Sequence, residues 1–265
     1  MKLFRRSFLA ASVVAPSALA GPVEDQALAR TIASPLRSPA NRARDRYRHP
    51  AQVLDFFGLT AGETVLEIEP GAGYWTEILA PYLAGRGRYT AALASGSAFA
   101  EKESQAFLAK LKSNPAAYGK TAVIYFGASG QLGPANAQDL ILSFRNLHNW
   151  MANGSAAVML AGVHAALKPG GVFGIEDHRA PATQPQDEQA KDGYVREDYA
   201  IQLIEAAGLR LVARSEIGAN PRDTKNYPDG VWDLPPVLRQ GQTNRAKYLT
   251  IGESDRWTLK FVKAG

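Results

Sequence analysis

Residues 64–83, TVLEIEPGAGYWTEILAPYL, constrain the fold more than any other stretch. The apolar run Val65, Leu66 and Ile68 enters a turn holding Gly71 and Gly73. Trp75, Ile78, Leu79, Tyr82 and Leu83 then recur at helical spacing. The pattern predicts strand, tight turn and helix, a unit that brings backbone close to a ligand at a helix N-terminus. Further strands are predicted at 87–93, 121–126, 139–144 and 172–176, with late ones at 209–217 and 256–263. Helices are predicted after Pro50 and at 74–84, 98–112, 154–167 and 196–207. Several central strands are unbroken apolar runs, as in a parallel sheet covered on both faces. The expected fold class is therefore α/β, a doubly wound, seven-stranded, mostly parallel sheet with an insertion between the last two strands.

The N-terminus reads as a targeting segment. MKLFRR is a basic start, the next stretch is weakly apolar, and Ala18-Leu19-Ala20 fits a cleavage site. Arg5-Arg6-Ser7-Phe8-Leu9 also matches the twin-arginine export pattern. Residues 1–20 are thus expected to be a signal peptide and the mature protein periplasmic or secreted. Without them the chain keeps 27 basic and 25 acidic groups, a balance that gives no reason to expect a nucleic-acid partner. No stable membrane span is expected. The absence of cysteine excludes disulfides, thiol catalysis and cysteine metal sites. Residues 21–48 are expected to form an irregular basic arm, and 49–265 a single domain. Within that domain, 218–252 is expected to form a lid, with Tyr227 and Trp232 against the site.

Three ligands compete for the glycine turn. A dinucleotide wants a third glycine, where Thr76 stands, and would meet Glu69 at its pyrophosphate. A nucleoside triphosphate wants a following Gly-Lys-Ser/Thr, which is missing. S-adenosylmethionine has no phosphate and carries cationic sulfonium and ammonium groups, which suit Glu67 and Glu69 at the strand end.

VLEIEPGAGYWTEILAPYL, DLILSFRNLHNW, LKPGGVFGIEDHR and GESDRWTLKFVK together resemble the class I S-adenosylmethionine-dependent methyltransferases. The chain is especially similar to an exported bacterial family of predicted methyltransferases, over roughly residues 40–263. The resemblance implies a Rossmann-like methyltransferase fold, S-adenosylmethionine as cofactor and methyl transfer to a small-molecule acceptor. It implies that Glu67 is the acid ending the first strand. Gly71 and Gly73 then match two motif glycines, with Ala72 and Tyr74 in the same turn, and Glu69 replaces a motif glycine. The acid that usually holds the ribose falls at Leu93, leaving only Ser95 and Ser97 nearby.

The acceptor is expected beyond the fourth strand, which puts Asn146 and His148 at the mouth. Asp177 and His178 follow the fifth strand to the same edge, with Asp177 expected to fix the tautomer of His178. His148 is the first candidate base. Two histidines and a carboxylate are also suitable metal ligands, but no metal is assigned. His49 is expected to help close the cofactor pocket. Two alternatives stay open. Glu67 and Glu69 can be structural carboxylates satisfied by backbone N–H groups. The whole protein can be a non-catalytic nucleoside- or small-molecule-binding protein on this fold.

Overall fold

Where both faces of a strand are apolar, helices must cover both, and the computed structural model shows this arrangement over residues 25–264. The proposed signal peptide lies outside the described residues. In chain order the elements are α1 (Gln26–Ile32), α2 (Pro39–Arg42), α3 (Asp45–Arg48), α4 (Pro50–Phe57), β1 (Thr64–Ile68), α5 (Thr76–Leu83), β2 (Arg88–Ala94), α6 (Ala98–Ser113), α7 (Pro115–Tyr118), β3 (Ala122–Phe126), β4 (Gln138–Phe144), α8 (Leu147–Ala152), α9 (Ala156–Ala166), β5 (Leu167–His178), α10 (Glu197–Ala206), β6 (Leu209–Ser215), α11 (Arg245–Ile251) and β7 (Arg256–Lys263). A 3₁₀ turn, Gly230–Asp233, lies in the insertion.

The seven strands run β3-β2-β1-β4-β5-β7-β6. All neighbours are parallel except β7, which runs antiparallel to β5 and β6. Alternate residues of β1 feed two cores. Val65 packs with α4 and α5 on one face, while Leu66 and Ile68 pack with α8, α9 and α10 on the other. Register then gathers the functional ends. Ile68 pairs with Ser143 and Ser143 with Ile175, so the segments after β1, β4 and β5 leave one edge together. Because β7 is antiparallel, its start at Arg256 sits beside His178 at that same edge.

Two expectations change. The arm is not irregular, since it forms three short helices. Asp25 caps α1 through the Ala27 and Leu28 amides, and Ser38 caps α2. Arg37 is buried and grips Asp45 with both terminal nitrogens, at 2.7 and 2.8 Å. Arg37, Arg44 and Arg48 of the arm thus have carboxylate partners, which a composition reading cannot see. His49 does not line the cofactor cleft. It takes a left-handed backbone conformation (φ 43°) and joins α3 to α4. Among the described residues no helix is long and apolar enough to cross a membrane.

Candidate functional site

The carboxyl ends of β1, β4 and β5 open into a cleft of about 650 Å³, a size that takes a nucleoside-sized ligand with room beside it. Glu67, Glu69, Gly71, Ala72, Tyr74, Asn146, His148 and His178 all line it. Glu67 is the least ordinary of them. Its side chain is buried, and its carboxylate accepts from the Tyr89 and Thr76 hydroxyls, not from backbone amides. Burial pushes its pKa up to about 7, against the opposing pull of those hydroxyls. No cation lies in ion-pair contact with it among the described residues. Glu69, also raised by burial, takes a hydrogen bond from Trp150 Nε1 at 2.8 Å.

The turn separates its two glycines. Both have positive φ, 55° at Gly71 and 74° at Gly73, which favours glycine at each. A Cβ on Gly71 would meet nothing within 4 Å and stand open to the cleft. A Cβ on Gly73 would run into the Lys110 side chain at 2.7 Å, and Gly73 does not line the cleft. Gly73 therefore shapes the turn from the side facing Lys110. Tyr74 lines the cleft, but its ring face is covered by the Arg48 guanidinium, 4.5 Å from the centroid.

Ser95 follows the end of β2. Its hydroxyl donates to the Phe126 carbonyl at 3.0 Å, and it does not line the cleft. The carboxylate at that end comes instead from α6. Phe99, Glu103 and Phe107 follow at four-residue spacing on one helix face. They wall a side recess of about 210 Å³ with Leu93. Phe99 is 75% exposed although apolar, at the rim of both cavities. An acid interrupting an aromatic stripe was the available sequence signal for Glu103.

Asp177 orients His148, not His178. One carboxylate oxygen faces His148 Nδ1 at 2.8 Å and the other accepts from the His148 amide at 3.0 Å. The His178 amide also donates to Asp177, while the His178 ring turns Nδ1 to the Ser254 hydroxyl. Burial and the neighbouring His148 and arginines hold the His178 pKa well below the ordinary imidazole value, so this ring is neutral. Ligand atoms of His148, Asp177 and His178 lie within 4.8 Å of one another, but both Asp177 oxygens are committed to hydrogen bonds. Asn146 gives its amide to the Ile68 carbonyl at 2.8 Å and so braces β1 against the segment after β4.

The insertion forms its own small core. Tyr194, Tyr227, Val231, Leu234, Tyr248 and Ile251 pack together. Tyr227 lies in that core and not against the cleft. Trp232 does reach the cleft, edge-on to the His148 ring at 6.1 Å, with Val231, Leu234 and Pro235 beside it. Arg44 and Arg48, which sequence reasoning missed, line the same cleft, as does Arg145, which falls in the segment expected at the mouth but was given no role.

No protein-family model matches the chain, and no curated protein is similar to it. Solved structures do match. An S-adenosylmethionine-dependent methyltransferase from Aquifex aeolicus aligns with 89% of this chain and 97% of its own, at TM-score 0.58 and 17% identity. The cyclase SpnF aligns with 89% of this chain and 91% of its own, at 0.59 and 14%. Phosphoethanolamine N-methyltransferase 2 from Haemonchus contortus, in complex with S-adenosyl-L-methionine, aligns with 83% of this chain and 53% of its own, at 0.57 and 14%. The chain has the Rossmann-like methyltransferase fold. Within that fold the antiparallel β7 is the strand inserted beside β5, and the cleft stands at the carboxyl edge of the central strands. Identities this low establish the fold alone, and SpnF shows that the fold is not confined to methyl transfer.

Proposed function

We propose that the protein binds S-adenosylmethionine and transfers its methyl group to a small-molecule acceptor. The observation that carries this reading is Glu67, a buried carboxylate whose only hydrogen-bond partners among the described residues are hydroxyls, beside a glycine turn open to the cleft. The donor set fits the cofactor. Glu67 supplies an anion for its α-ammonium, Gly71 leaves room for close backbone approach, and Glu103 offers acceptors for ribose hydroxyls. Phe99 and Phe107 give the side recess aromatic walls for a base. When bound, the cofactor supplies an electrophilic methyl group on a sulfonium.

The chain's own contribution is placement and proton removal. Asp177 fixes His148 with Nδ1 facing the carboxylate, which leaves Nε2 as the base for an acceptor that must lose a proton. Trp232 and its neighbours narrow access to that ring.

A second reading, a non-catalytic binding protein, is favoured by one observation. The end of β2, Leu93-Ala94, has no acid of its own for a ribose.

Calorimetry with S-adenosylhomocysteine tests the first reading. We expect saturable binding, lost in Gly71→Val and weakened at least about 10-fold in Glu67→Gln, the scale of one charged hydrogen bond. Thermal melts should show both variants folded. Unchanged binding in either would sink the site assignment. Binding without methyl transfer to any acceptor in a broad panel would favour the second reading.

A further inference from the structure

Three guanidinium nitrogens in the cleft wall are buried without a hydrogen-bond partner among the described residues: Arg44 Nη2, Arg48 Nη2 and Arg145 Nε. All three side chains line the same cleft. Buried donors of this kind are costly when unsatisfied, because each loses its water and gains nothing. Arg48 is only 3% exposed.

The charges around them do not balance. Arg44, Arg48, Arg145 and Arg256 share two carboxylates. Glu253 meets Arg44 at 2.7 Å, Arg48 at 2.9 Å and Arg256 at 2.8 Å. Glu176 meets Arg256 at 3.2 Å. Among the described residues Arg145 has no ion pair within 4 Å, and its backbone is left-handed, with φ 64°. Its only described hydrogen bond is from its amide to the Glu176 carbonyl, at 2.7 Å. Glu253 and Glu176 thus serve Arg44, Arg48 and Arg256, and leave Arg145 without an ion pair among the described residues. The crowding has a cost. Burial and the neighbouring cations push Arg48 down to about 9 and lower Arg145 as well.

S-adenosylmethionine carries a single carboxylate, which can serve one part of this wall. Arg44 and Arg48 lie over the ring of Tyr74, next to the glycine turn. Arg145 instead opens the segment that carries Asn146 and His148, on the side of the candidate base. We propose that Arg145, with Arg48, binds an oxyanion group of the methyl acceptor, so that the acceptor is an anionic small molecule bearing a carboxylate or a phosphate. The proposal rests on the methyltransferase reading and adds the substrate class. It also accounts for an arginine without an ion pair of its own among the described residues.

The test uses the full chain, with inorganic phosphate and succinate as probes for the two oxyanion chemistries. Each is titrated calorimetrically into protein alone and into protein saturated with S-adenosylhomocysteine, which already carries the methionine carboxylate. We expect at least one probe to bind the saturated protein. Arg145→Gln should weaken that probe at least about 10-fold, as for loss of one charged hydrogen bond, and change S-adenosylhomocysteine affinity by less than about threefold. Because Arg145 lacks an internal partner, the same variant should melt no lower than the parent. A better response to phosphate or to succinate identifies which oxyanion the acceptor carries.

The proposal is overturned if neither probe binds the saturated protein. It is overturned if S-adenosylhomocysteine displaces both, which would give the arginines to the cofactor's own carboxylate. It also falls if Arg145→Gln leaves probe affinity unchanged. Failure of S-adenosylhomocysteine to bind at all is a separate result. It would remove the methyltransferase reading, and with it the assignment of the anion to an acceptor.

Discussion

Glu67 in the cleft and Glu253 beside the arginines are both buried, yet their pKa values shift in opposite directions. Glu67 is touched only by neutral hydroxyls, and burial raises it to about 7. Glu253 suffers the same desolvation, yet Arg48, Arg256, Arg44 and Arg145 hold it far below the ordinary carboxylate range. Burial alone therefore says little about a carboxylate's role. What distinguishes them is whether the protein supplies the counter-charge. Glu253 is a counter-ion that holds three arginines in place. Glu67 has no ion-pair partner among the described residues. The arginine wall repeats the lesson with the sign reversed, since Arg256 is matched within the chain and Arg145 is not.

The largest expected effect breaks the matched wall. Glu253→Gln leaves Arg48 and Arg256 buried beside a neutral amide, and should cost about 3–5 kcal/mol in chemical denaturation. A loss below about 1 kcal/mol would mean that the arginines find other partners, and the contrast with Glu67 would disappear.

Next comes the unmatched wall. The folded-state pKa of Glu67, about 7, lies above its unfolded value near 4.5. The folded state therefore binds the extra proton, and stability falls as pH rises from about 4.5 to 7. The full linkage is about 3 kcal/mol. Glu67→Gln removes this penalty. Without ligand it should be more stable than the parent at pH 8, and the advantage should vanish below pH 4.5. Equal pH profiles of denaturation midpoint for the two proteins would show that Glu67 ionises normally.

The smallest effect sharpens the comparison. Tyr89→Phe removes one hydroxyl from Glu67 and should cost about 1 kcal/mol, the net worth of a typical hydrogen bond. Since that hydroxyl lowers the Glu67 pKa, the variant should shift the titration midpoint upwards when the carboxyl is followed by NMR. A downward shift would mean that the hydroxyl is not acting as a donor.

The sheet was legible because its signals are local. Unbroken apolar runs, the glycine turn and Gly208 after α10 each mark an element within a few residues. Predicted strands 87–93 and 139–144 fall within one residue of β2 and β4 at each end. The carboxylate at Glu67 and the histidine at 148 were legible too, because strand ends in this architecture point to one edge.

What escaped depends on register or on distance along the chain. Asp177 was paired with its neighbour His178, but the alignment of Phe144 with Glu176 between β4 and β5 puts His148 within its reach. Gly71 and Gly73 are indistinguishable in sequence, and only the course of the turn shows which one faces Lys110. Arg44 and Arg48 read as surface charge because their partner, Glu253, lies 209 and 205 residues away.

That separation has a consequence for how the cleft comes into being. Contacts so distant in sequence carry a high loop-closure cost and form late in folding. During synthesis the N-terminal helices emerge first, and Arg44 and Arg48 must wait for almost the whole chain before Glu253 appears. The strand that follows Glu253 also brings Arg256, whose guanidinium bonds back to the Tyr47 carbonyl and closes the same junction. The arginine wall is thus a completion check. A chain stopped short of β7 can build much of the sheet and the glycine turn, yet it lacks the buckle that brings its first helices onto the cleft. The arginine wall takes its full form only when the last strand is in place.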